Sequence, residues 1–283
     1  MMMEQRRSLS VASLEAAEIP MKTQGTLALP GKTRPYLMAH RGNRAACPEN
    51  TLAAFRRALV DGADILETDL HLTSDGVFVC IHDGTVDRTT NGQGVVAEMT
   101  LAEVKALRAD CGRPGFEDER IPTLAEVAAL VPTDGLLALE LKTDRFLESE
   151  VCRRLVAELD RTGIRGRSVV LSFHAERVLA VCAAAPGVPA GWITLSNPWP
   201  RADVQLLGPF WPLLLLNPLY VLSAHRRGQV ICPLDPEPDG RLRLYRWLGC
   251  DAVLSDNPEA TRKALNALVG RGDKRGGRWS PRE

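Results

Sequence analysis

From residue 36 to residue 269 the chain alternates short apolar runs of strand type with amphipathic helical patterns. No other feature limits the fold so strongly. Strands separated by helix-length crossovers must run parallel, and parallel strands need helices over their outer faces. The strand-type runs lie at 36–39, 64–70, 77–81, 136–141, 168–173, 190–195, 213–217, 229–232 and 252–255. Between them the spacing predicts helices at 51–61, 101–109, 124–131, 147–162, 175–184, 219–226, 241–248 and 258–269. Asn50 stands before the first helix, and Thr123 with Glu126 forms a capping-box pattern before the third. At this length the expected architecture is an α/β (β/α)8 barrel.

Nine runs exceed the eight strands of such a barrel, and the surplus can be placed. Only six residues, His71–Gly76, separate the second run from the third, too few for a parallel crossover, and Asp75-Gly76 is a hairpin turn signal. The third run is therefore expected to fold back antiparallel on the second. A turn centred on Asp75-Gly76 makes the numbers of paired residues sum to about 151, which sets His82 opposite Asp69.

Composition narrows the partners. Lys plus Arg and Asp plus Glu are 35 each, so no overall field recruits nucleic acid or an anionic membrane, and any anion site must be local. The seven cysteines show no metal-type spacing and suit a reducing, cytoplasmic setting. Residues 1–33 lack a continuous apolar signal core and are expected to be a disordered extension, with Met21 a possible alternative start. The barrel is expected over 34–270 and a disordered tail over 271–283. The one long apolar stretch, "PFWPLLLLNPLYVL", is too short to span a bilayer and is cut by prolines. Oligomeric state is not legible.

The chemistry gathers at strand ends. In "DILETDLHLT" Glu67 and Asp69 are two apart and share one face of a strand. Two inward carboxylates repel each other and lose hydration. Pairing with lysines at a solvated end, or a shared cation, would each meet that cost. The run "LLALELKTD" adds Glu140 and Lys142 on one face, at the strand end where barrel active sites lie. Glu67, Asp69 and Glu140 together make an all-oxygen set suited to Mg²⁺ or Ca²⁺. Lys142 offers a point charge to a phosphate oxygen, unless it is spent on Glu140, and Arg41 offers a bidentate donor. His40 ends the first strand and His82 ends the hairpin, placed as an acid–base pair would be for cleaving a phosphate ester. His71 shares the face of Asp69 as a possible supporting residue, whereas His174 and His225 read as structural or solvated.

The motifs "HRG", "PENT" and "AF" (residues 40–55), "GADILETDLHLTSDGVFVCIHD" (62–83), "RTTNGQG" (88–94), "IPTLAEV" (121–127), "LELK" (139–142), "LSF" (171–173) and "GCDAVLSDNP" (249–258) follow one another in the order seen in glycerophosphodiester phosphodiesterases. The chain resembles that family over residues 37 to about 265. The resemblance implies a TIM barrel that hydrolyses glycerophosphodiesters to glycerol 3-phosphate and an alcohol with a divalent cation. It implies His40 and His82 as general acid and base, Glu67, Asp69 and Glu140 as metal ligands, and Arg41 and Lys142 on the phosphate. One segment departs from the pattern. Where the family carries Trp-Thr-x-Asn, this chain has "ICPLDP", with Cys232 in the Trp place and Asp235 in the Asn place. That change is expected to reshape the organic side of the pocket, and it leaves open a related activity on lysophospholipids or other bulky diesters. A phosphate-binding barrel without chemistry is the weakest alternative, since every acid–base and ligand position is filled.

Overall fold

The computed structural model describes residues 27, 29 and 31–272, with side chains described to residue 268. The expectations for the rest of the N-terminal extension and for the tail beyond 272 fall outside the described residues. Strand β1 (Tyr36–His40) is followed by α1 (Leu52–Val60), β2 (Ile65–Leu72) and β3 (Phe78–Cys80). Helices α2 (Leu101–Ala106) and α3 (Leu124–Ala128) lead to β4 (Leu136–Leu141), α4 (Ser149–Arg161), β5 (Ser168–Ser172) and α5 (Ala175–Ala184). The second half runs β6 (Ala190–Thr194), β7 (Leu206–Pro209), α6 (Leu213–Leu216), α7 (Tyr220–His225), β8 (Val230–Ile231), α8 (Leu242–Leu248), β9 (Ala252–Ser255) and α9 (Pro258–Gly272).

Eight strands run parallel in the order β8-β7-β6-β5-β4-β2-β1-β9, and β3 pairs antiparallel with β2 outside that path. The ring is thus a (β/α)8 barrel whose seam lies between β8 and β9. Asp251 stitches this seam. Its amide donates to Ile231 O at 2.9 Å, and its carboxylate accepts from Ile231 N at 2.8 Å, from His225 Nε2 at 2.9 Å and from Arg34. His225 is therefore a structural residue, tied by its ring to a buried carboxylate.

Period-two alternation divides the strand side chains between two cores. Met38, Ile65, Ala138, Leu171, Ile193, Leu206, Cys232 and Leu254 fill the barrel interior, together with Leu27 and Leu29. Leu37, Leu66, Leu139, Val170, Leu207 and Val253 face outward and pack under the helices. A third cluster, including Val79, Ile81, Val86, Val104 and Ile121, holds the 43-residue excursion between β3 and α3 against the hairpin. The Thr123–Glu126 capping box is present at the start of α3.

Three details differ from the sequence reading. The run 213–217 is not a strand: Leu213–Leu216 is a helical turn begun at Pro212, and the strand is the preceding β7, "LLGP". The first helix is capped by Thr51, whose hydroxyl accepts from Ala54 N at 3.2 Å, which frees Asn50 for another task. The hairpin register sums to 150, pairing Leu70 with Cys80 and Leu72 with Phe78. Thr73 N donates to Val77 O at 3.0 Å, so the loop has three residues and ends at Gly76 with φ +78°. Asp69 O then accepts from Ile81 N, and His82 lies one residue beyond.

Candidate active site

At the end of β1 the chain turns sharply. Arg41 has φ +56° and Gly42 φ +78°. A side chain at Gly42 would come within 2.6 Å of the Ala54 carbonyl carbon, so only glycine fits between β1 and α1. The turn aims the Arg41 amide at Glu67 Oε2, 2.9 Å away, and sets His40 beside Glu67 in the β1–β2 ladder. A left-handed arginine costs on the order of 1 kcal/mol and is held here by these contacts.

Next to it, the β2–β4 register sets Asp69 beside Glu140. Glu67, Asp69 and Glu140 each present an oxygen within 4.8 Å of the others, and all three are buried. Asn50, itself at φ +55°, donates to Asp69 Oδ2 at 2.9 Å and accepts from Thr68 Oγ1 at 2.7 Å. Arg41 Nε lies 3.2 Å from Asp69 Oδ2, and Lys142 Nζ donates to Glu140 Oε1 at 3.0 Å, 3.5 Å from Asp69 Oδ1. Asp69 Oδ1 remains buried without a hydrogen-bond partner. Burial, then repulsion among the three acids, raises the pKa of Glu67 and Glu140. Burial would raise Asp69 too, but Arg41, Lys142 and His82 outweigh it and hold it low. An orphaned carboxylate oxygen among crowded, oxygen-only donors fits a hard divalent cation, which would relieve the repulsion.

The two histidines are oriented alike. His40 Nδ1 lies 2.6 Å from Asp256 Oδ1, and His82 Nδ1 lies 2.7 Å from Asp83 Oδ1. A carboxylate on Nδ1 favours the tautomer with its proton on Nδ1 and its lone pair on Nε2. Burial outweighs Asp69 and Asp83 and keeps the His82 pKa below the ordinary imidazole value. His71 Nε2 lies 3.2 Å from the His82 carbonyl, which places it behind that turn. His174 stands at the N-cap of α5 without a capping hydrogen bond from its side chain.

Glu49 ties these parts together. It accepts from Arg41 Nη1 at 3.0 Å and from Arg88 at 2.8 and 3.0 Å, and Arg44 lies 3.4 Å away. Arg88 also grips Asp83, the His82 partner, and Arg44 reaches Asp256, the His40 partner. Glu49, Asn50, Asp83, Arg88 and Asp256 all sit inside motifs quoted above. What the sequence could not reveal was their job, because each acts through contacts across the fold.

Burial would raise Glu49, yet its arginines pull its pKa from 4.5 down to about 2. A carboxylate depressed on folding stabilises the protein fully above its unfolded pKa, and that stability fades as pH falls through the folded one. Glu49→Gln is therefore expected to lower unfolding free energy by about 3 kcal/mol at pH 7. The difference from wild type should shrink steadily between pH 4.5 and pH 2. Urea midpoints across that range check this; a deficit independent of pH would contradict it.

Cys232 points into the barrel, beneath Leu234, while Asp235 is buried and committed to Arg241 and Tyr245. Arg241 in turn lies over the Trp211 ring at 4.7 Å. Asp235 thus braces the β7 and β8 loops.

The glycerophosphoryl diester phosphodiesterase family model matches residues 40–263. A glycerophosphodiester phosphodiesterase of Caldanaerobacter subterraneus is 35% identical over 79% of this chain and 94% of its own length. Among solved structures, a phosphodiesterase from Oleispira antarctica in complex with the product sn-glycerol-3-phosphate superposes with a TM-score of 0.73 at 29% identity, covering 82% of this chain and 97% of that one. A glycerophosphodiester phosphodiesterase from Agrobacterium tumefaciens gives a TM-score of 0.69 at 26% identity, with 80% and 98% covered. With its barrel, its acidic cluster and a match spanning most of its length, this chain belongs to the glycerophosphoryl diester phosphodiesterase family.

Proposed function

We propose that the protein hydrolyses glycerophosphodiesters to sn-glycerol 3-phosphate and an alcohol, with His40 and His82 as the acid–base pair. The observation that carries this reading is the pairing of each imidazole Nδ1 with a carboxylate beside a cluster of three buried acids. Glu67, Asp69 and Glu140 would hold Mg²⁺ or Ca²⁺, which supplies Lewis acidity to a phosphoryl oxygen.

The chain's own groups do the rest. Arg41 and Lys142 face the same cluster from two sides, with side chains 12% and 15% exposed, and they bind the negative oxygens of the diester. One imidazole takes the proton from the attacking hydroxyl, and the other returns one to the departing alkoxide. Asp256 and Asp83 stabilise whichever ring is charged. Arg44 and Arg88, through Glu49, keep both carboxylates in place. The described residues contain no helix long and apolar enough to cross a membrane. All seven cysteines are free thiols, which accords with a reducing, cytoplasmic setting.

Phosphorus and proton NMR of glycerophosphocholine incubated with the purified chain test the reading. It predicts glycerol 3-phosphate and choline in equal amounts. A stable starting diester, or phosphocholine and glycerol instead, would overturn it.

A further inference from the structure

Every crossover between parallel strands of the barrel carries a helix except one. Residues 195–205, from β6 to β7, hold none, and the crossover that follows, α6 and α7, turns an apolar face outward. On α7 the buried side chains are Tyr220, Val221 and Ala224. Leu219, Leu222 and Arg226, spaced three and four apart, share the opposite face, where a surface helix ordinarily carries polar groups. Leu215 and Leu216 on α6 extend that face. Trp199 joins it from the helix-free crossover. Asn217 Nδ2 donates to Pro198 O at 2.8 Å and Arg227 Nη1 to Pro200 O at 3.3 Å, which pins the loop on either side of the indole. These leucines and Trp199 are between 44% and 74% exposed, a large apolar surface to leave in water.

The charge around the patch is one-sided. Between Ser196 and Gly228 the only carboxylate is Asp203, and Arg201 holds it at 2.6 Å. Arg226 and Arg227 are exposed and make no ion pair among the described residues. An apolar face beside unpaired cations selects its occupant. A second copy docked through a twofold axis would set the face against itself and crowd both pairs of arginines, with no free carboxylate from this segment to receive them. A protein partner is held in register by hydrogen bonds, yet Asn217 and the carbonyls of Pro198 and Pro200 are spent within the loops. A fluid bilayer needs no register. Its headgroup phosphates receive the arginines, its acyl boundary receives the leucines, and an indole favours the level between them. We infer that the α6–α7 face is a docking surface for a bilayer containing anionic phospholipid, on which the protein lies without crossing it. The net charge of the chain is zero, so the attraction is the local one that this patch supplies. None of these residues belongs to the acidic cluster or its histidines, so docking stands apart from the phosphodiesterase reading.

Co-sedimentation with sucrose-loaded vesicles tests this, using phosphatidylcholine alone and phosphatidylcholine mixed with phosphatidylglycerol. The full chain is expected to bind the mixed vesicles and to be released by high salt. Neutral vesicles should bind about twenty-fivefold more weakly, from about fivefold for each arginine at an anionic surface. Arg226→Gln with Arg227→Gln should weaken binding to the mixed vesicles by the same factor. Leu216→Ser with Leu219→Ser changes only exposed side chains and should weaken it by about tenfold or more. Val60→Ser, at an exposed valine that ends α1, should bind as wild type does. All three variants should melt as wild type does, which separates lost binding from lost folding. No binding to the mixed vesicles at low salt, or binding that either pair of substitutions leaves unweakened, would overturn the inference. Equal binding to both kinds of vesicle would overturn it too. A wild type that sediments without lipid as a dimer, and as a monomer in the leucine variant, would give the face to a second copy instead.

Discussion

Replacing His40 with alanine is expected to lower kcat by about a hundredfold to ten-thousandfold, the usual worth of a positioned acid or base. The loss should be catalytic rather than structural. His40 sits at the rim of the interior, and its partner Asp256 keeps a second neighbour in Arg44 Nη1 at 3.5 Å. Truncating the ring therefore strands no buried charge. The cavity it leaves opens to the cleft, so stability should change by about 1 kcal/mol. Steady-state kinetics together with a thermal melt separate the two effects. Partial rescue by added imidazole would tie the loss to proton transfer. An unchanged kcat would remove His40 from the mechanism, and a collapsed melt would make its role structural.

The second large effect is expected at Glu67. Burial and then repulsion from Asp69 and Glu140 raise the pKa of its carboxyl. Glu67→Gln removes one of those charges and keeps an oxygen to accept from the Arg41 amide, now 2.9 Å from Oε2. Without added cation the variant should therefore be at least as stable as wild type. With Mg²⁺ or Ca²⁺ at about one hundred times its Kd, a bound ion stabilises the wild type by about 2.7 kcal/mol. For a domain of this size that is a rise in Tm of about 5 °C or more. The variant should lose most of that rise, and its kcat/KM should fall by about a hundredfold to a thousandfold. A structural role for Glu67 predicts the reverse pattern: lower stability without cation, and an unaltered response to it. Melts with and without cation tell the two apart.

The sequence carried most of this site because strand periodicity carries it. Glu67 with Asp69, and Glu140 with Lys142, share faces for reasons fixed by a two-residue repeat. The ladders then bring those faces together, setting Asp69 beside Glu140. What was not legible depends on contacts distant in sequence. Glu49 gathers Arg41, Arg44 and Arg88 from two loops, and Asp256 reaches His40 across 216 positions. No local pattern announces either. The seventh strand lies before the apolar run that suggests it, for a related reason. "LLLL" is apolar without a period, and its helical turn is set by Pro212, whereas "LLGP" reads as a loop until its neighbours pair with it. The turn signal predicts the hairpin, but the register differs by one, because Gly76 closes a three-residue loop instead of sharing a two-residue turn with Asp75.

The proposed mechanism joins a cation held by buried carboxylates to acid–base chemistry by histidine at one site. Its most direct test is release of glycerol 3-phosphate from glycerophosphocholine by the purified chain, first in EDTA and then with Mg²⁺ or Ca²⁺ restored, for wild type and His40→Ala in parallel. Little release is expected in EDTA, with recovery on adding cation to the wild type and no recovery in the variant. Full activity in EDTA would remove the cation from the mechanism. Recovery in His40→Ala equal to that of wild type would remove the histidine.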